Sequence, residues 1–389
     1  MEPNTVQIDR SGEAPILTFA DSFNVAVHMI DRHIKEGRGD KTAVITEHET
    51  VSYGQLAERV NRCGNALLDA GIPPGGRMLM VVKDCPEFFY LFYGAIKAGI
   101  VPVPINTLLR AADYRYMIED SECAALIYSP EFENEVGPAL AAASRKPPFV
   151  ALAEGAGGLS DMIAAASDQL EAHPSDAKAD CFWLYSSGST GRPKGTVHRQ
   201  RDLLVNAVLY AEPVLRISED DVMFSAAKLF FAYGLANSMN FPLMYGASTV
   251  LSDERPTPEM TFRIIEKYRP TIYYGVPTLY AAQCRAMETE KPDLSSLRVC
   301  VSAGESLPAP IFNRWKDAVG YPPVDGIGST EGTHIFISNR PDDAKAGTSG
   351  KVLPGYRARI VDDDGNDVKP GEVGRLLVQG QSMAAYYWN

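Results

Sequence analysis

Residues 185–196 form a loop whose composition is suited to binding phosphate. The loop reads YSSGSTGRPKGT and follows an apolar run, 181–184, that predicts a buried strand. Glycines let backbone N–H groups approach an anion closely, hydroxyl groups donate further hydrogen bonds, and Arg192 and Lys194 add positive charge. The loop is not a Walker A motif, because proline rather than glycine precedes Lys194. A flexible connection is the other interpretation of a loop rich in glycine and serine.

Three more motifs follow in order along the chain: residues 228–235 (KLFFAYGL), 302–308 (SAGESLP) and 325–331 (DGIGSTE). Together with the loop they resemble the signature motifs of the adenylate-forming superfamily, which comprises acyl- and aryl-CoA ligases, amino-acid adenylation domains and luciferases. Weaker similarity extends over nearly the whole chain. Within the superfamily, the sequence around residues 228–240 and 325–339 is most similar to the benzoate-CoA ligases.

The resemblance implies a reaction in two halves. A carboxylate attacks the α-phosphorus of ATP to give an acyl-adenylate and pyrophosphate, and coenzyme A then takes the acyl group as a thioester. Anions meet anions in the first half, so catalysis is mainly charge neutralisation and positioning. ATP, Mg²⁺ and coenzyme A are therefore the expected cofactors and co-substrates.

The resemblance assigns the phosphate contacts to the loop and to the last motif. Thr190, Lys194 and Glu331 are the expected catalytic residues, and Glu331 is also the expected ligand of Mg²⁺, which prefers carboxylate and phosphate oxygen. A Thr-Glu pair by itself is more typical of a helix cap, but Asp325 and Gly328 lie at the family spacing upstream. The residues expected to hold the phosphates are Ser186, Ser187, Gly188, Ser189, Thr190, Gly191, Lys194 and Thr330.

The adenine ring is expected to lie against the second and third motifs that follow the loop. Gly304 and Glu305 would form one wall, because glycine lets the backbone approach the ring, and Asp325 would accept a hydrogen bond from the exocyclic amine. Residues 302–308 also read as a turn at the end of a strand, and both interpretations hold together.

The acid pocket is expected to consist of aromatic, aliphatic and small residues, namely Phe231, Ala232, Tyr233, Gly328, His334 and Ile335. Such walls suit a flat ring of benzoate size, and His334 is expected to bond the pocket rim or the carboxylate. A single histidine among apolar residues is otherwise often a core residue, and Ala232 and Gly328 are equally consistent with close packing. Residues 228–235 contain no Asp or Glu, so a buried ammonium group would lack a partner, which argues against amino acids as substrates.

The predicted function is activation of an aromatic acid, with benzoate as the lead substrate, in the degradation of aromatic acids. A ligase for another aryl or short aliphatic acid, such as 4-hydroxybenzoate, is one alternative. A ligase that loads a carrier protein is another. A binding module that senses an aryl acid or nucleotide without catalysis is the alternative from a different class.

The composition also narrows the possible partners and location of the protein. The 389 residues carry a formal net charge of −12, which argues against nucleic acid as a partner. The six cysteines are scattered among apolar residues without a C-x-x-C pair, which predicts reduced thiols in a cytoplasmic protein. Residues 1–10 lack the apolar stretch of a signal peptide, and the apolar run 88–105 reads as a buried helix and strand rather than a membrane span. The oligomeric state is left open.

The elements that position these motifs alternate between helical and strand patterns. Helices are predicted over 53–70 and 86–98, and strands over 77–82 and 100–104, so an α/β fold with mostly parallel sheets is expected. Strands at 248–251, 271–274 and 297–301 repeat this pattern. After residue 341 the strands 356–361 and 372–379 read as antiparallel. The expected domains are an α/β subdomain at 1–180, a second at 181–340 with the phosphate loop and acid pocket, and a small β-barrel at 341–389; the resemblance implies that the two subdomains pack together.

The final residues, 383–389 (MAAYYWN), resemble the stretch shortly before the family motif whose aspartate holds the ribose. The resemblance therefore leads us to expect a chain truncated to the N-terminal domain, without the C-terminal domain and its catalytic lysine. Such a chain should bind the acid but turn over poorly.

Overall fold

The computed structural model describes residues 1–155, 158–186 and 191–388. In these residues the chain forms twenty strands: β1 (Val6–Asp9), β2 (Ile16–Phe19), β3 (Thr42–Ile45), β4 (Thr50–Ser52), β5 (Arg77–Val81), β6 (Val101–Pro104), β7 (Ala125–Tyr128), β8 (Phe149–Leu152), β9 (Asp180–Ser186), β10 (Lys194–Arg199), β11 (Val222–Ser225), β12 (Ser248–Val250), β13 (Ile272–Gly275), β14 (Val299–Ser302), β15 (Val324–Gly328), β16 (Ile335–Ser338), β17 (Lys351–Val352), β18 (Tyr356–Val361), β19 (Arg375–Gly380) and β20 (Tyr386–Trp388).

The same residues form twelve α-helices: α1 (Arg32–Lys35), α2 (Tyr53–Asp69), α3 (Pro86–Lys97), α4 (Ala111–Ser121), α5 (Glu133–Ala142), α6 (Leu159–Ala165), α7 (Asp202–Asn206), α8 (Ala232–Leu235), α9 (Phe241–Tyr245), α10 (Pro258–Tyr268), α11 (Pro277–Ala286) and α12 (Ala309–Val319). Shorter π- and 3₁₀-helical segments lie at Val27–Asp31, Pro130–Phe132, Ala207–Leu215 and Ala236–Asn240.

Two sheets dominate the fold. Four parallel strands in the order β6-β5-β7-β8 form the smaller one. The larger has nine strands in the order β17-β16-β15-β14-β13-β11-β12-β3-β4, and its pairs from β15 to β3 are all parallel. The α/β fold with mostly parallel sheets is therefore confirmed.

The predicted elements agree with the structure because their local signals are strong. Helix α2 begins at a capping box, in which the Ser52 hydroxyl accepts from the Gln55 backbone N–H and the Gln55 side chain accepts from the Ser52 N–H. Its apolar stripe, including Leu56 and Val60, is buried. The apolar run 88–105 forms a buried helix and strand, as predicted. Among the described residues, no helix has the length and apolar character needed to cross a membrane.

Two features of the sheets were not predicted. Strands β3 and β4, from the first block of the sequence, complete the far edge of the nine-stranded sheet beside β12. The predicted boundary between the two α/β subdomains at residue 180 stays a prediction, although the pairing of β3 with β12 joins residues on either side of it. In the last segment, the predicted antiparallel strands form the hairpin β18–β19, while β17 joins β16 and β20 joins β10. A closed barrel is not among the sheets that the described residues form.

Candidate active site

A cavity with a volume of about 860 Å³ lies at the carboxyl edge of the nine-stranded sheet. Residues that follow β11, β12, β13 and β14, and the end of β15, all line it. Ligands bind at this edge in open parallel sheets because the strands deliver their connecting loops there. The cavity contains all six predicted acid-pocket residues together with Gly304, Glu305 and Thr330 of the predicted nucleotide contacts.

The first wall of the acid pocket is the segment 228–235, which turns sharply after β11. A Cβ atom on Gly234 would lie 2.0 Å from the Lys228 carbonyl oxygen, so only glycine allows this turn. The Leu229 N–H donates to the buried Asp84 carboxylate at 3.0 Å, which anchors the segment from the end of β5. Phe231 remains 49% exposed at the cavity and packs on Phe230 with ring centroids 4.4 Å apart.

The polar atoms of Tyr233 and His334 are bonded to the protein or buried. The Tyr233 hydroxyl donates to the backbone carbonyls of Gly275 and Val301 at 3.2 and 3.3 Å. His334 Nε2 donates to Asn237 Oδ1 at 2.9 Å, and Nδ1 is buried without a hydrogen-bond partner among the described residues. Burial lowers the pKa of His334 to about 3, so the ring is neutral. Nε2 is therefore already bonded within the protein, and the bond expected from His334 to the pocket rim or the carboxylate stays a prediction.

The second wall of the acid pocket is formed by Gly328 and Ile335, which lie opposite each other in the β15–β16 pair. A Cβ atom on Gly328 would lie 2.3 Å from the His334 carbonyl oxygen, which no real contact allows. The close packing considered for this glycine is therefore observed, and its role in binding the acid stays a prediction. Ile335 is 1% exposed and belongs to the main hydrophobic core.

The predicted adenine contacts divide into two groups. Gly304 and Glu305 follow β14 and line the cavity, and Gly304 has a φ of +91°, which favours glycine. Asp325 is buried and does not line the cavity; Oδ2 accepts from the Ser349 hydroxyl at 2.7 Å, and Oδ1 has no partner among the described residues. Burial raises the pKa of Asp325 to about 6. Its contact with adenine stays a prediction.

We call Ser186, Lys194 and Glu331 the phosphate side. They lie where the β9–β10 hairpin meets the turn at the end of the motif 325–331 (DGIGSTE). Ser186 and Lys194 are opposite each other in the hairpin register. Ser187, Gly188, Ser189 and Thr190 lie outside the described residues. Gly191 follows directly with a φ of +95°.

Glu331 faces this hairpin as a carboxylate. Its Oε1 accepts from the Tyr387 hydroxyl at 2.8 Å. Burial acts to raise the pKa of Glu331, but hydrogen bonds from its own backbone N–H, from Tyr387 and from Ser186, among others, outweigh it and lower the pKa below its usual value. The Lys194 ammonium lies 5.6 Å from the centre of the Tyr387 ring. The hairpin and the turn therefore place opposite charges around one aromatic ring.

The donor set fits Mg²⁺ held mainly by phosphate oxygens. Among the described residues, no group of three or more His, Cys, Asp or Glu side chains could hold a metal ion. Mg²⁺ commonly uses one or two carboxylates together with phosphates and water, and Glu331 supplies such a carboxylate.

All six cysteines are buried and free, as predicted.

Several residues that support the site were not identified from the sequence. They are Asp84, His198, Asp202, Asn237 and Tyr387. A polar residue beside apolar runs is a signal that could have found Asp84 and Asn237, whereas His198 lies in a polar stretch (VHRQRD) and gives no such signal. Tyr387 gives no such signal, because aromatic residues are common in strands.

The fold and the site define the class of protein. The AMP-binding enzyme family profile matches residues 30–388, so the chain belongs to that family. Among its relatives, it is 47% identical over 98% of its length to a benzoate-CoA ligase of Thauera aromatica, of which it covers 73%. It is 43% identical over 94% of its length to a 4-hydroxybenzoate-CoA/benzoate-CoA ligase of Rhodopseudomonas palustris, of which it covers 69%.

A solved structure of a benzoate-CoA ligase from Burkholderia xenovorans LB400 superposes with a TM-score of 0.87 at 41% identity, covering 94% of this chain and 73% of that one. The resemblance to benzoate-CoA ligases is thereby confirmed. The expectation of a truncated chain is not confirmed by these coverages.

Proposed function

We propose that this chain activates an aromatic carboxylic acid of benzoate size with ATP and passes the acyl group to coenzyme A. The observation that carries the proposal is the single cavity that joins the predicted acid pocket to Gly304, Glu305 and Thr330. An acid in this cavity lies next to the nucleotide contacts. The relatives' names support the same class of substrate.

The walls of the acid pocket favour an unsubstituted ring. The hydroxyl of Tyr233 and Nε2 of His334 are bonded to the protein, and Nδ1 of His334 is sealed from solvent. A substituent with a hydroxyl or amino group would therefore find no partner on these two side chains and would lose its hydrogen bonds to water. Phe231 and Tyr233 offer ring faces and edges, which adds roughly 0.5–1.5 kcal/mol beyond burial. No acidic side chain lies in 228–235 to hold an amino acid's ammonium group.

The chain's own residues would do the following work. Phe231, Ala232 and Ile335 would bind and orient the ring, and Gly328 would leave the space that it fills. Ser186 and Lys194 would hold the phosphates, and Glu331 would hold Mg²⁺, which neutralises phosphate charge when bound. We propose that Thr190 also contacts the phosphates. The six free, buried cysteines support a reducing, cytoplasmic location.

The test is thermal unfolding of the chain with a panel of acids: benzoate, 2-, 3- and 4-substituted benzoates, hexanoate and phenylalanine. A ligand that binds only the folded state stabilises it by roughly 2.7 kcal/mol at a hundredfold excess over its Kd. We expect the largest shift with benzoate, a smaller one with 4-hydroxybenzoate, and none with phenylalanine. A shift with hexanoate alone would discard the aryl assignment.

The second candidate is a ligase for 4-hydroxybenzoate, which the Rhodopseudomonas palustris relative favours by its name. It predicts a larger shift with 4-hydroxybenzoate than with benzoate. The panel therefore separates the two candidates directly.

A further inference from the structure

We propose that His198, oriented by Asp202, is a positioning residue that fixes the turn carrying Thr330 and Glu331 against the β9–β10 hairpin. This inference rests on the proposed function, since it explains how the Mg²⁺–ATP contacts are held in place. Neither residue belongs to the sequence motifs of the site.

The geometry of the pair is well defined. His198 Nε2 lies 2.9 Å from the Thr330 carbonyl oxygen, and Nδ1 lies 3.3 Å from Asp202 Oδ2. The Thr330 carbonyl and the Asp202 carboxylate both only accept, so each ring nitrogen faces an acceptor and donates to it. The ring also stacks on Phe182, with centroids 4.9 Å apart and planes 17° from parallel. Asp202 Oδ2 in turn accepts from the Arg199 N–H at 2.9 Å, which fixes the carboxylate.

The turn is held from two sides through three consecutive carbonyls. On the hairpin side, the Thr330 carbonyl accepts from His198. On the other side, the Glu331 carbonyl accepts from the Ala384 N–H at 2.7 Å, and the Gly332 carbonyl accepts from the Ser382 hydroxyl at 2.9 Å. Loss of the His198 bond would release the side that faces Ser186 and Lys194.

Stability alone does not explain a buried histidine and aspartate at this position. Both side chains are fully buried, and taking such groups out of water is costly unless the geometry rewards it. What the pair supplies is a directional bond to the residue before Glu331. A carboxylate that coordinates a metal must be held within a fraction of an ångström, so release of the neighbouring carbonyl should weaken Mg²⁺–ATP binding.

The test uses two substitutions at His198 and one matched control. His198→Phe keeps a ring on Phe182 but removes the donor, whereas His198→Gln keeps an amide donor but removes the ring. His33→Phe is the control, because His33 is also fully buried and its Nε2 also meets a backbone carbonyl, that of Leu243 at 2.7 Å. His33 does not line the cavity and is not part of the phosphate side.

The measurements are the Kd of Mg²⁺–ATP and the Kd of benzoate by titration calorimetry on the full chain, with thermal unfolding of each variant. We expect His198→Phe to weaken Mg²⁺–ATP binding by about tenfold or more, because the partly buried Thr330 carbonyl loses one of its two donors and keeps only the Thr333 N–H of its own turn. Benzoate binding should stay within about twofold of wild type. His198→Gln should recover most of the nucleotide affinity, and His33→Phe should lose stability without losing either ligand.

Two results would overturn the inference alone: Mg²⁺–ATP binding to His198→Phe at wild-type affinity, or equal losses in His198→Gln, His198→Phe and His33→Phe. If the wild-type chain binds neither Mg²⁺–ATP nor an aryl acid, the proposed function fails and the inference fails with it. The wild-type titrations therefore distinguish the two failures.

Discussion

The acid pocket, formed by residues 228–235 and 328–335, and the phosphate side are built in opposite ways. The acid pocket takes its walls from two short segments, and the polar atoms of Tyr233 and His334 are bonded to or sealed within the protein. The phosphate side keeps a carboxylate and an ammonium group beside Tyr387. Hydrogen bonds between distant residues support both regions, since His198 and Thr330 are 132 positions apart and Leu229 and Asp84 are 145 positions apart.

Because of this difference, we expect the two regions to recognise the acid and the nucleotide in different ways. On the proposed function, the acid would be selected by shape and by the bonded or buried polar atoms of Tyr233 and His334. Nucleotide binding would depend on the relative position of chain segments that polar bonds hold together. A substitution in one region should therefore affect one ligand far more than the other.

The largest separation is expected from Ala232→Phe. The new ring would occupy the cavity that Ala232 lines, so benzoate should bind at least about 100-fold more weakly because its contact volume is filled. Mg²⁺–ATP binding should change little. Ala232→Ser is the matched control of similar size and should remain near wild type. Calorimetric titration with both ligands provides the check, and full benzoate affinity in Ala232→Phe would show that the acid lies elsewhere.

Glu331→Gln should produce the reverse pattern. The amide oxygen can still accept from Tyr387, but the negative charge is lost, so Mg²⁺–ATP should bind about tenfold more weakly or worse. Benzoate affinity should be unchanged. The Kd of ATP measured with and without Mg²⁺ tests the role of the charge, since the variant should differ from wild type only when Mg²⁺ is present. A loss that is equal without Mg²⁺ contradicts metal binding by Glu331.

Asp84→Asn tests the anchor of the acid pocket through pH. Burial raises the pKa of Asp84 to about 6, although Lys228 and the Leu229 N–H act to lower it. A raised carboxyl pKa means that the folded state holds a proton that the unfolded state releases above its pKa of 3.8. The stabilising effect is full below pH 3.8 and is lost as the pH rises through about 6.

The asparagine can keep its oxygen on the Leu229 N–H without carrying a charge. We therefore expect Asp84→Asn to be more stable than wild type at pH 7.5 by about 1–3 kcal/mol, and the difference to shrink towards pH 4. Urea unfolding at several pH values measures it. A variant less stable than wild type at pH 7.5 would mean that the charge on Asp84 supports the pocket.

The smallest effect is expected from Tyr387→Phe. One hydrogen bond to Glu331 is lost, so the pKa of Glu331 should rise towards its ordinary value, and Mg²⁺–ATP affinity should fall by only a few-fold, about 0.5–1.5 kcal/mol. The ring beneath Lys194 remains. Titration at pH 7.5 is sufficient; a loss as large as that of Glu331→Gln would make Tyr387 a principal contact.

The two regions also differ in how far sequence could predict them. Four of the six acid-pocket residues lie within two motifs, and His334 and Ile335 follow the second one closely; all six line one cavity because their segments follow or end strands of the same sheet. Helix α2 and strand β18 could also be predicted from the sequence, because their periodicity and end signals are local. Roles of individual residues stay predictions.

The residues that support the phosphate side could not be predicted from the sequence, for a physical reason. His198 lies in strand β10 beside polar residues, and its partner Thr330 is brought near only by the folded chain. The edge pairing of β3 with β12 has the same origin, because Val44 and Thr249 meet across 205 positions of chain (249 − 44). Local patterns carry no information about such pairings.

The bond between Ala384 and Glu331, together with the pairing of β20 with β10, also orders events during synthesis. When residue 335 has left the ribosome, every predicted wall of the acid pocket exists in the nascent chain. The turn that carries Glu331 still lacks its second side until residues 382–387 emerge about fifty residues later. A nascent chain should therefore be able to shape the acid pocket before the phosphate side is complete.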